Sequence, residues 1–310
     1  MSTVDITLRS PDVPEMSVAD HAELDTLLGA LEAETWPEDF AAAREFYDAW
    51  GTPVAADIAV TEHCLGGVAS YLATPPGADP TRIGLWLHGG GYVFGSQRSH
   101  GSMIAEVARA AGFAITHLQY RRAPENRYPA AFEDALAAYR GLLDEGWDPQ
   151  SITLVGDSAG GGLILAVMLY LREHDLPLPA AAACISPWVD LEGTGESFTA
   201  NDEIDPLISS SVVSQVREAY LGQTPVRTPY ASPLYGQLDG LPPILIQVGE
   251  REMLLSDAER LARKLREAGG SATLEVWPGM VHVWHLHHTR LAKAREGIDR
   301  LGAFLRSPGG

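Results

Sequence analysis

The stretch ITLVGDSAGGGL, residues 152–163, decides the fold of this 310-residue chain. Its first four residues are apolar or β-branched, as in a strand buried on both faces, and an apolar helical run follows Gly160. Between them lies a Gly-x-Ser-x-Gly sequence, whose small residues permit a sharp turn from strand to helix. Such a turn lifts the Ser158 hydroxyl above the end of a sheet, so Ser158 is predicted to be a nucleophile. A phosphate-binding glycine turn is the alternative, disfavoured because no lysine follows and the chain is acidic.

The pattern on either side of this stretch is that of a sheet covered by helices. From residue 54 onward, short apolar runs alternate with amphipathic helical runs. The eight predicted strands are Ala56–Cys64, Val68–Ala73, Ile83–Leu87, Phe113–Leu118, Ile152–Val155, Ala180–Ile185, Ile244–Val248 and Ala272–Trp277. The Gly66-Gly67 pair predicts a hairpin between the first two, whereas the continuously apolar later runs are typical of parallel strands. The chain is therefore predicted to be an α/β protein with a mostly parallel eight-stranded sheet flanked by helices.

The composition excludes several classes of protein. With 45% apolar and 20% charged residues, the chain can bury a large core and is not expected to be disordered or fibrous. A net charge of −19 makes nucleic acid and anionic membranes unfavourable partners. The N-terminus lacks a secretory pattern, and no apolar run is long enough to span a bilayer. We therefore expect a soluble cytoplasmic protein. Two cysteines, Cys64 and Cys184, are too few for a disulfide framework or a four-thiolate metal site.

Two segments lie outside the repeating pattern and are predicted to form a helical cap. Residues 1–50 carry a net charge of −10, against −9 for the other 260 residues, and are predicted as N-terminal cap helices before a core at 51–310. About 58 residues separate Ile185 from Ile244, far more than an ordinary crossover needs, which predicts a second cap segment inserted at about 188–225. Aromatic side chains in the first segment are expected to pack between cap and core or to line a pocket: Trp36, Phe40, Phe46, Tyr47 and Trp50.

A second glycine-rich motif, HGGGY at residues 88–92, directly follows the predicted strand Ile83–Leu87. Consecutive glycines let the backbone approach a ligand closely. Backbone N–H groups stabilise the negative charge that develops on a carbonyl oxygen during acyl transfer, and the residue after the nucleophile, Ala159, supplies another. The motif therefore predicts an oxyanion hole, with His88 as a structural residue; a flexible loop without a role is the alternative.

A serine nucleophile requires a base, and His282 is the candidate. It follows the predicted strand Ala272–Trp277, on a loop before the last helix, where the chain order serine, acid, histidine would place it. The neighbouring His285, His287 and His288 raise the alternative of a metal site. That alternative is disfavoured because the cluster contains no carboxylate and no HExxH motif.

The carboxylate that orients the base is expected in the loop after Ile244–Val248. Glu250, Glu252 and Asp257 all lie there. Glu252 is preferred, because Glu250 is very close to the strand end and Asp257 is expected to be exposed in the first turn of the next helix. Farther upstream, Asp205 before Pro206 is predicted to be a helix N-cap rather than a catalytic acid.

Five motifs together resemble the hormone-sensitive-lipase-like carboxylesterases of the α/β-hydrolase fold: HGGGYVFGS, YRRAPENRYPAAFEDA, GDSAGGGL, SPWVDL and VGEREMLLSDA. The resemblance covers about residues 45–305 and implies an α/β-hydrolase fold with a helical cap. It implies Ser158 as nucleophile, His282 as base and Glu252 as acid. The oxyanion donors that it implies are Gly90, Gly91 and Ala159. Candidates for the substrate pocket are Tyr92, Trp188 and Asp157.

This chain departs from the family pattern at two positions. The acid, usually aspartate in a D-x-L context, is Glu252 here, one methylene longer. The usual YRLAPE reads YRRAPE, which places Arg122 where an apolar residue is common; its side chain either faces solvent or pairs with a carboxylate.

The resemblance implies a serine carboxylic-ester hydrolase that acts on small to medium apolar acyl esters through an acyl-enzyme, with water as the second substrate. No metal or organic cofactor is expected. Hydrolysis of lactones, of the monoterpene or caprolactone type, is the alternative. A non-catalytic small-molecule receptor on the same scaffold is a remote one, since both Ser158 and His282 are present. A homodimer through an edge strand or the last helix is a further hypothesis.

Overall fold

The computed structural model describes residues 12–308 and confirms the mostly parallel eight-stranded sheet. The strands are β1 (Ala59–Leu65), β2 (Val68–Thr74), β3 (Asp79–Leu87), β4 (Phe113–Leu118), β5 (Ile152–Asp157), β6 (Ala181–Ile185), β7 (Ile244–Gly249) and β8 (Ala272–Trp277). Their order across the sheet is β1-β2-β4-β3-β5-β6-β7-β8. Strand β2 is antiparallel to β1 and β4, and all other pairs are parallel. The hairpin predicted at Gly66-Gly67 is present, with Leu65 paired to Val68.

The helices of the described residues alternate with these strands as the sequence pattern indicates. They are α1 (Val18–Glu32), α2 (Phe40–Asp48), α3 (Gln97–Ala111), α4 (Ala130–Asp144), α5 (Ala159–Glu173), α6 (Glu196–Ala200), α7 (Ser210–Leu221), α8 (Leu255–Glu267) and α9 (Ala292–Arg306). Within residues 12–308, none of them is long and apolar enough to cross a membrane.

Side chains that alternate along the central strands face two different layers of helices. On β3, Leu85 and Leu87 belong to the cluster formed with α4, α5 and α8, whereas Trp86 packs with α3 and α9. Because both faces are covered, the parallel strands are apolar at nearly every position. Strands β3, β5, β6, β7 and β8 run in the same direction, so the loops after their carboxyl ends meet at one edge of the sheet.

The segments predicted to form a cap lie at this same edge. Helix α1 packs through Leu24 and Leu27 against Trp277 and Trp284, close to the end of β8. Helices α6 and α7 lie in the long connection between β6 and β7. Residues 1–11 of the first predicted segment lie outside the described residues, and the division into cap and core remains a prediction.

Candidate active site

Ser158 occupies a strained turn between β5 and α5. Its backbone has φ 51° and ψ −120°, a left-handed conformation that is rare for a residue with a side chain. Glycine is required on both sides because a Cβ at Gly156 would lie 2.4 Å from the carbonyl oxygen of Gly160, and one at Gly160 would lie 1.9 Å from that of Leu87. The turn predicted from the Gly-x-Ser-x-Gly sequence is therefore the local structure.

Three side chains from different loops form a continuous chain of polar contacts. The Nε2 atom of His282 lies 2.9 Å from Ser158 Oγ, and its Nδ1 atom lies 3.0 Å from Glu252 Oε2. All three residues are buried. They follow β5, β7 and β8, whose carboxyl ends meet at one edge, so residues far apart in sequence reach hydrogen-bonding distance. The arrangement is that of a nucleophile, a base and an orienting acid.

Two further groups hold the Glu252 carboxylate. Glu252 Oε1 accepts hydrogen bonds from the Gly249 amide at 2.5 Å and from Ser186 Oγ at 2.7 Å. The same Ser186 oxygen accepts from the Val283 amide at 3.1 Å, so it links the acid loop to the histidine loop. Ser186 is not among the site residues predicted from the sequence. Its place in the chain could have identified it, because it directly follows β6 at the sheet edge where the other site residues converge.

The charges around His282 favour its protonated form. Burial alone lowers the pKa of the imidazole, but the hydrogen bond and charge of Glu252, together with the charge of Asp205, raise the pKa above its ordinary value of 6.5. Burial raises the pKa of Glu252 above 4.5, against the lowering effect of its bond to His282. The pair therefore stabilises an imidazolium, the species that forms when a histidine takes a proton from serine.

The loop after β3 presents backbone amides beside Ser158. Gly90 and Gly91 have φ values of 98° and 60°, which favour glycine. A Cβ at Gly90 would lie 2.6 Å from the backbone of Phe94, and one at Gly91 would lie 3.0 Å from Val216. Among the described residues, no acceptor is found for the amides of Gly90, Gly91 or Ala159. These N–H groups are available to a ligand.

Of the three predicted pocket residues, Trp188 lines the cavity over Ser158, whereas Asp157 and Tyr92 are not among its lining residues. Asp157 is fully buried beneath the loop, where its oxygens accept from the Gly89 amide at 3.0 Å and from Trp86 Nε1 at 2.9 Å. Tyr92 stacks on Tyr220 with ring centroids 3.7 Å apart. The contacts of Asp157 hold the start of the loop, and those of Tyr92 join the loop to α7.

The cavity itself is apolar and small. It encloses about 160 Å³. None of its 17 lining residues is Asp, Glu, Lys or Arg. They are Trp36, Tyr47, Trp50, Gly90, Gly91, Phe94, Ser158, Trp188, Leu207, Ile208, Val212, Val213, Val216, Leu254, His282, Val283 and Leu286. Walls of this kind favour neutral, apolar groups, since an unpaired charge would be desolvated there.

A family model described as the alpha/beta hydrolase fold matches residues 84–286, about two thirds of the chain, including Ser158, Glu252 and His282. This chain is an α/β hydrolase.

Comparison with similar proteins shows which kind of α/β hydrolase this chain resembles. This α/β hydrolase is 44% identical over 268 residues to an acetyl-hydrolase of Streptomyces hygroscopicus, with 86% of this chain and 88% of that protein covered. It is 38% identical to the putative acetyl-hydrolase LipR of Mycobacterium tuberculosis, over 78% of each chain. A crystal structure of an esterase from the bacterial hormone-sensitive lipase family matches with a TM-score of 0.91 and 45% identity, covering 93% of this chain and 99% of that one. The resemblance seen in the motifs is confirmed, and the chain is a carboxylesterase-like hydrolase.

Two aspartates of this α/β hydrolase differ from their predictions. Asp205 is not a helix N-cap: α7 begins at Ser210, and Asp205 instead accepts from the amides of Leu207, Ile208 and Met253 at 2.9–3.2 Å. It thereby connects the cavity wall to the loop of the acid. Asp257, expected to be exposed, is 2% exposed.

Asp257 is a buried carboxylate, and the carboxylate of Asp190, also buried, lies close enough to influence it. The Oδ2 atom of Asp257 accepts from the amides of Val189 and Asp190 at 3.0 and 2.9 Å. Burial raises its pKa to about 7, and the negative charge of Asp190 contributes in the same direction. The carboxyl group fixes the loop that carries Trp188 and has no contact with His282 in the described chain.

A pH-dependent stability follows from Asp257. The folded protein holds its proton more tightly than the unfolded chain, so its contribution to the free energy of unfolding falls as the pH rises from 3.8 to about 7. Asp257→Asn keeps an acceptor for the two amides and removes the charge. We therefore expect the variant to raise Tm at pH 8 by about 2 °C or more, and by less at pH 5. Thermal melts at both values test this, with the exposed Asp299→Asn as control; a lower Tm at pH 8 would contradict it.

The histidine cluster of this α/β hydrolase has structural partners. His285 Nε2 lies 2.9 Å from Gln247 Oε1, and His288 Nε2 lies 3.2 Å from Ser102 Oγ. The His287 ring packs near Trp50, with centroids 6.0 Å apart. Within residues 12–308, no group of three or more His, Cys, Asp or Glu side chains is arranged to hold a metal ion.

Proposed function

We propose that this α/β hydrolase cleaves neutral carboxylic esters with small to medium apolar acyl groups through Ser158, His282 and Glu252. The observation that carries the proposal is the chain of contacts from Glu252 through His282 to Ser158, with distances of 3.0 and 2.9 Å. It lies at an apolar cavity beside backbone amides that have no acceptor within residues 12–308. Geometry of this kind supports acyl transfer, because nucleophile, base and oxyanion donors converge on one point.

In the proposed reaction, His282 Nε2 takes the proton of Ser158 as Oγ attacks the ester carbonyl. The tetrahedral oxyanion is held by the amides of Gly90, Gly91 and Ala159. His282 then gives its proton to the leaving alcohol, and an acyl-enzyme on Ser158 remains. Water, deprotonated by His282, attacks the acyl carbonyl. The bond to Ser158 Oγ then breaks, His282 returns the proton to Oγ, and the acid is released. Glu252 keeps the imidazole oriented and stabilises its positive charge in both halves of the reaction.

The shape of the cavity supports substrates of limited size. A volume of about 160 Å³ is close to that of an engineered cavity of about 150 Å³ that holds benzene. The N-terminal segment contributes an aromatic wall and the second segment an aliphatic one, and we propose that the two together act as a cap that excludes water. The similarity to acetyl-hydrolases of Streptomyces hygroscopicus and Mycobacterium tuberculosis supports short acyl groups.

A substrate panel tests this proposal. We expect kcat/KM to be higher for p-nitrophenyl acetate and butyrate than for the octanoate by about tenfold or more, because a cavity of about 160 Å³ suits a short acyl group better than an eight-carbon chain. ε-Caprolactone is the matched cyclic ester. Faster hydrolysis of the lactone than of every linear ester would favour lactone hydrolysis instead. Absence of turnover with the whole panel would favour the non-catalytic receptor.

A further inference from the structure

Two arginine side chains hold the loop that carries Gly90 and Gly91. Arg44 Nε donates to the carbonyl oxygen of Val93 at 2.8 Å, and Arg122 Nη1 donates to that of Gly95 at 2.8 Å. Arg44 belongs to α2 in the N-terminal segment, whereas Arg122 follows β4. The sequence left two possibilities for Arg122, exposure to solvent or pairing with a carboxylate. Neither is observed, since its hydrogen bond goes to a backbone carbonyl and its side chain is half-buried.

The geometry of the loop links the hydrogen bonds made by Arg44 and Arg122 to the positions of Gly90 and Gly91. Gly90, Gly91, Tyr92 and Gly95 all have positive φ, between 60° and 98°. The Gly90 carbonyl accepts from the amides of Val93 and Phe94 at 3.0 and 2.8 Å, which closes a tight turn. A shift of Val93 is therefore transmitted to Gly90 and to the amide of Gly91.

Gly95 closes the other end of the loop. A Cβ at Gly95 would lie 2.3 Å from His88 Nδ1 and 2.6 Å from the carbonyl oxygen of Gly89. The start of the loop is held from below, where Asp157 accepts the Gly89 amide. Arg122 therefore fixes the point at which the loop returns to its own start, and the direction of the Gly90 and Gly91 amides depends on both ends.

The Arg44 guanidinium is itself held on three sides. Besides Val93, it donates to the carbonyl oxygen of Ala123 at 2.6 Å and to both oxygens of Glu125 at 2.9 and 2.7 Å. Such a planar fork is rigid because its donors are fixed relative to one another. Burial and the nearby charge of Arg44 lower the pKa of Arg122, while Asp48 and Glu125 act in the opposite direction. Two cations thus face one loop despite their mutual repulsion.

We propose that Arg44 and Arg122 are positioning residues for the oxyanion hole, which makes the N-terminal segment part of the catalytic apparatus as well as a cover for the cavity. The proposal rests on the proposed ester hydrolysis. Neither arginine lines the cavity, so both act through the backbone of residues 93–95. Their loss should weaken binding of the oxyanion more than binding of the uncharged substrate.

The test compares Arg44→Met and Arg122→Met with the conservative Arg44→Lys and Arg122→Lys. Loss of an entire oxyanion donor lowers kcat by about 10²–10³-fold, so a displaced donor should cost about tenfold in kcat with KM nearly unchanged. The inhibition constant of an alkyl trifluoromethyl ketone, whose adduct with Ser158 places an oxyanion in the hole, should rise by the same factor. The lysine variants should recover part of both effects.

Arg98→Met is the matched control. Like Arg44, Arg98 makes a contact that involves α2: its Nη1 atom donates to Glu45 Oε2 at 2.8 Å. Its side chain is exposed, however, and donates to no carbonyl of residues 88–95 in the described structure. We expect wild-type kinetics from this variant. Equal losses in Arg98→Met and Arg44→Met, or a change confined to KM, would overturn the proposal.

Hydrogen exchange supplies a readout that is independent of ester turnover. The amides of Val93 and Phe94 should exchange faster in both methionine variants than in the wild type or Arg98→Met. If the wild type hydrolyses no ester, the proposed function fails, whereas faster exchange would still support the anchoring of the loop. Unchanged exchange overturns the positioning role whatever the activity, with far-UV circular dichroism verifying that each variant is folded.

Discussion

Ser158→Ala is expected to lower kcat for p-nitrophenyl acetate by about 10⁴–10⁶-fold. In the proposed reaction, Ser158 Oγ is the atom that forms the acyl-enzyme. Its removal leaves His282 without the serine proton to accept, and it leaves the amides of Gly90, Gly91 and Ala159 without a covalent intermediate to stabilise. Steady-state kinetics on purified variant and wild type measure the loss. Titration of active sites with a phosphonate ester, which should label only the wild type, corrects for inactive protein.

Ser186→Ala is the matched control for this experiment. It removes a hydroxyl from the same site, 2.7 Å from Glu252, but leaves the nucleophile in place. Its loss should be about tenfold, the order expected for one hydrogen bond to a charged group. Turnover by Ser158→Ala at the wild-type rate would mean that Ser158 is not the nucleophile and that the reaction takes place through another group or at another site.

Glu252→Gln is expected to lower kcat by about 10³–10⁴-fold, because the amide can hold His282 in the wrong tautomer and cannot stabilise the imidazolium. The pH profile should change as well. Only neutral His282 accepts the serine proton, so kcat/KM falls as the pH decreases through the pKa of His282. In the wild type Glu252 and Asp205 raise that pKa above 6.5, and removal of the Glu252 charge should move the midpoint to lower pH.

Glu250→Gln and Asp257→Asn are the controls for the choice of acid. Glu250 is exposed and accepts from the Gly279 amide at 3.1 Å, and Asp257 binds the loop of Trp188. Both variants should retain kcat within about twofold, as is usual for residues without contact to reacting groups. A large loss in Asp257→Asn together with normal activity in Glu252→Gln would assign the acid to Asp257.

The parallel sheet and the positions of Ser158 and His282 could be predicted because they depend on local signals. Strands covered on both faces must be apolar throughout, and the Ser158 turn must have glycine wherever a Cβ would meet backbone. The choice of Glu252 among the three carboxylates that follow β7 rested on weaker signals. Distance from the strand end disfavoured Glu250, and the resemblance to a family with a D-x-L motif agreed with Glu252. The exposure expected for Asp257 is not observed, because that side chain is buried.

The sequence by itself determined which loops carry Ser158, Glu252 and His282, since chain order and strand direction bring these loops to one edge of the sheet. Only the tertiary structure decided what the neighbouring polar residues do. Asp157 lies beneath the loop although it was predicted to line the pocket, and Asp257 is buried although it was expected to be exposed. Arg122, for which the sequence left open solvent or a carboxylate partner, binds a backbone carbonyl. Their partners are more than 25 residues away in sequence, and hydrogen bonds over such distances depend on packing that no local pattern encodes.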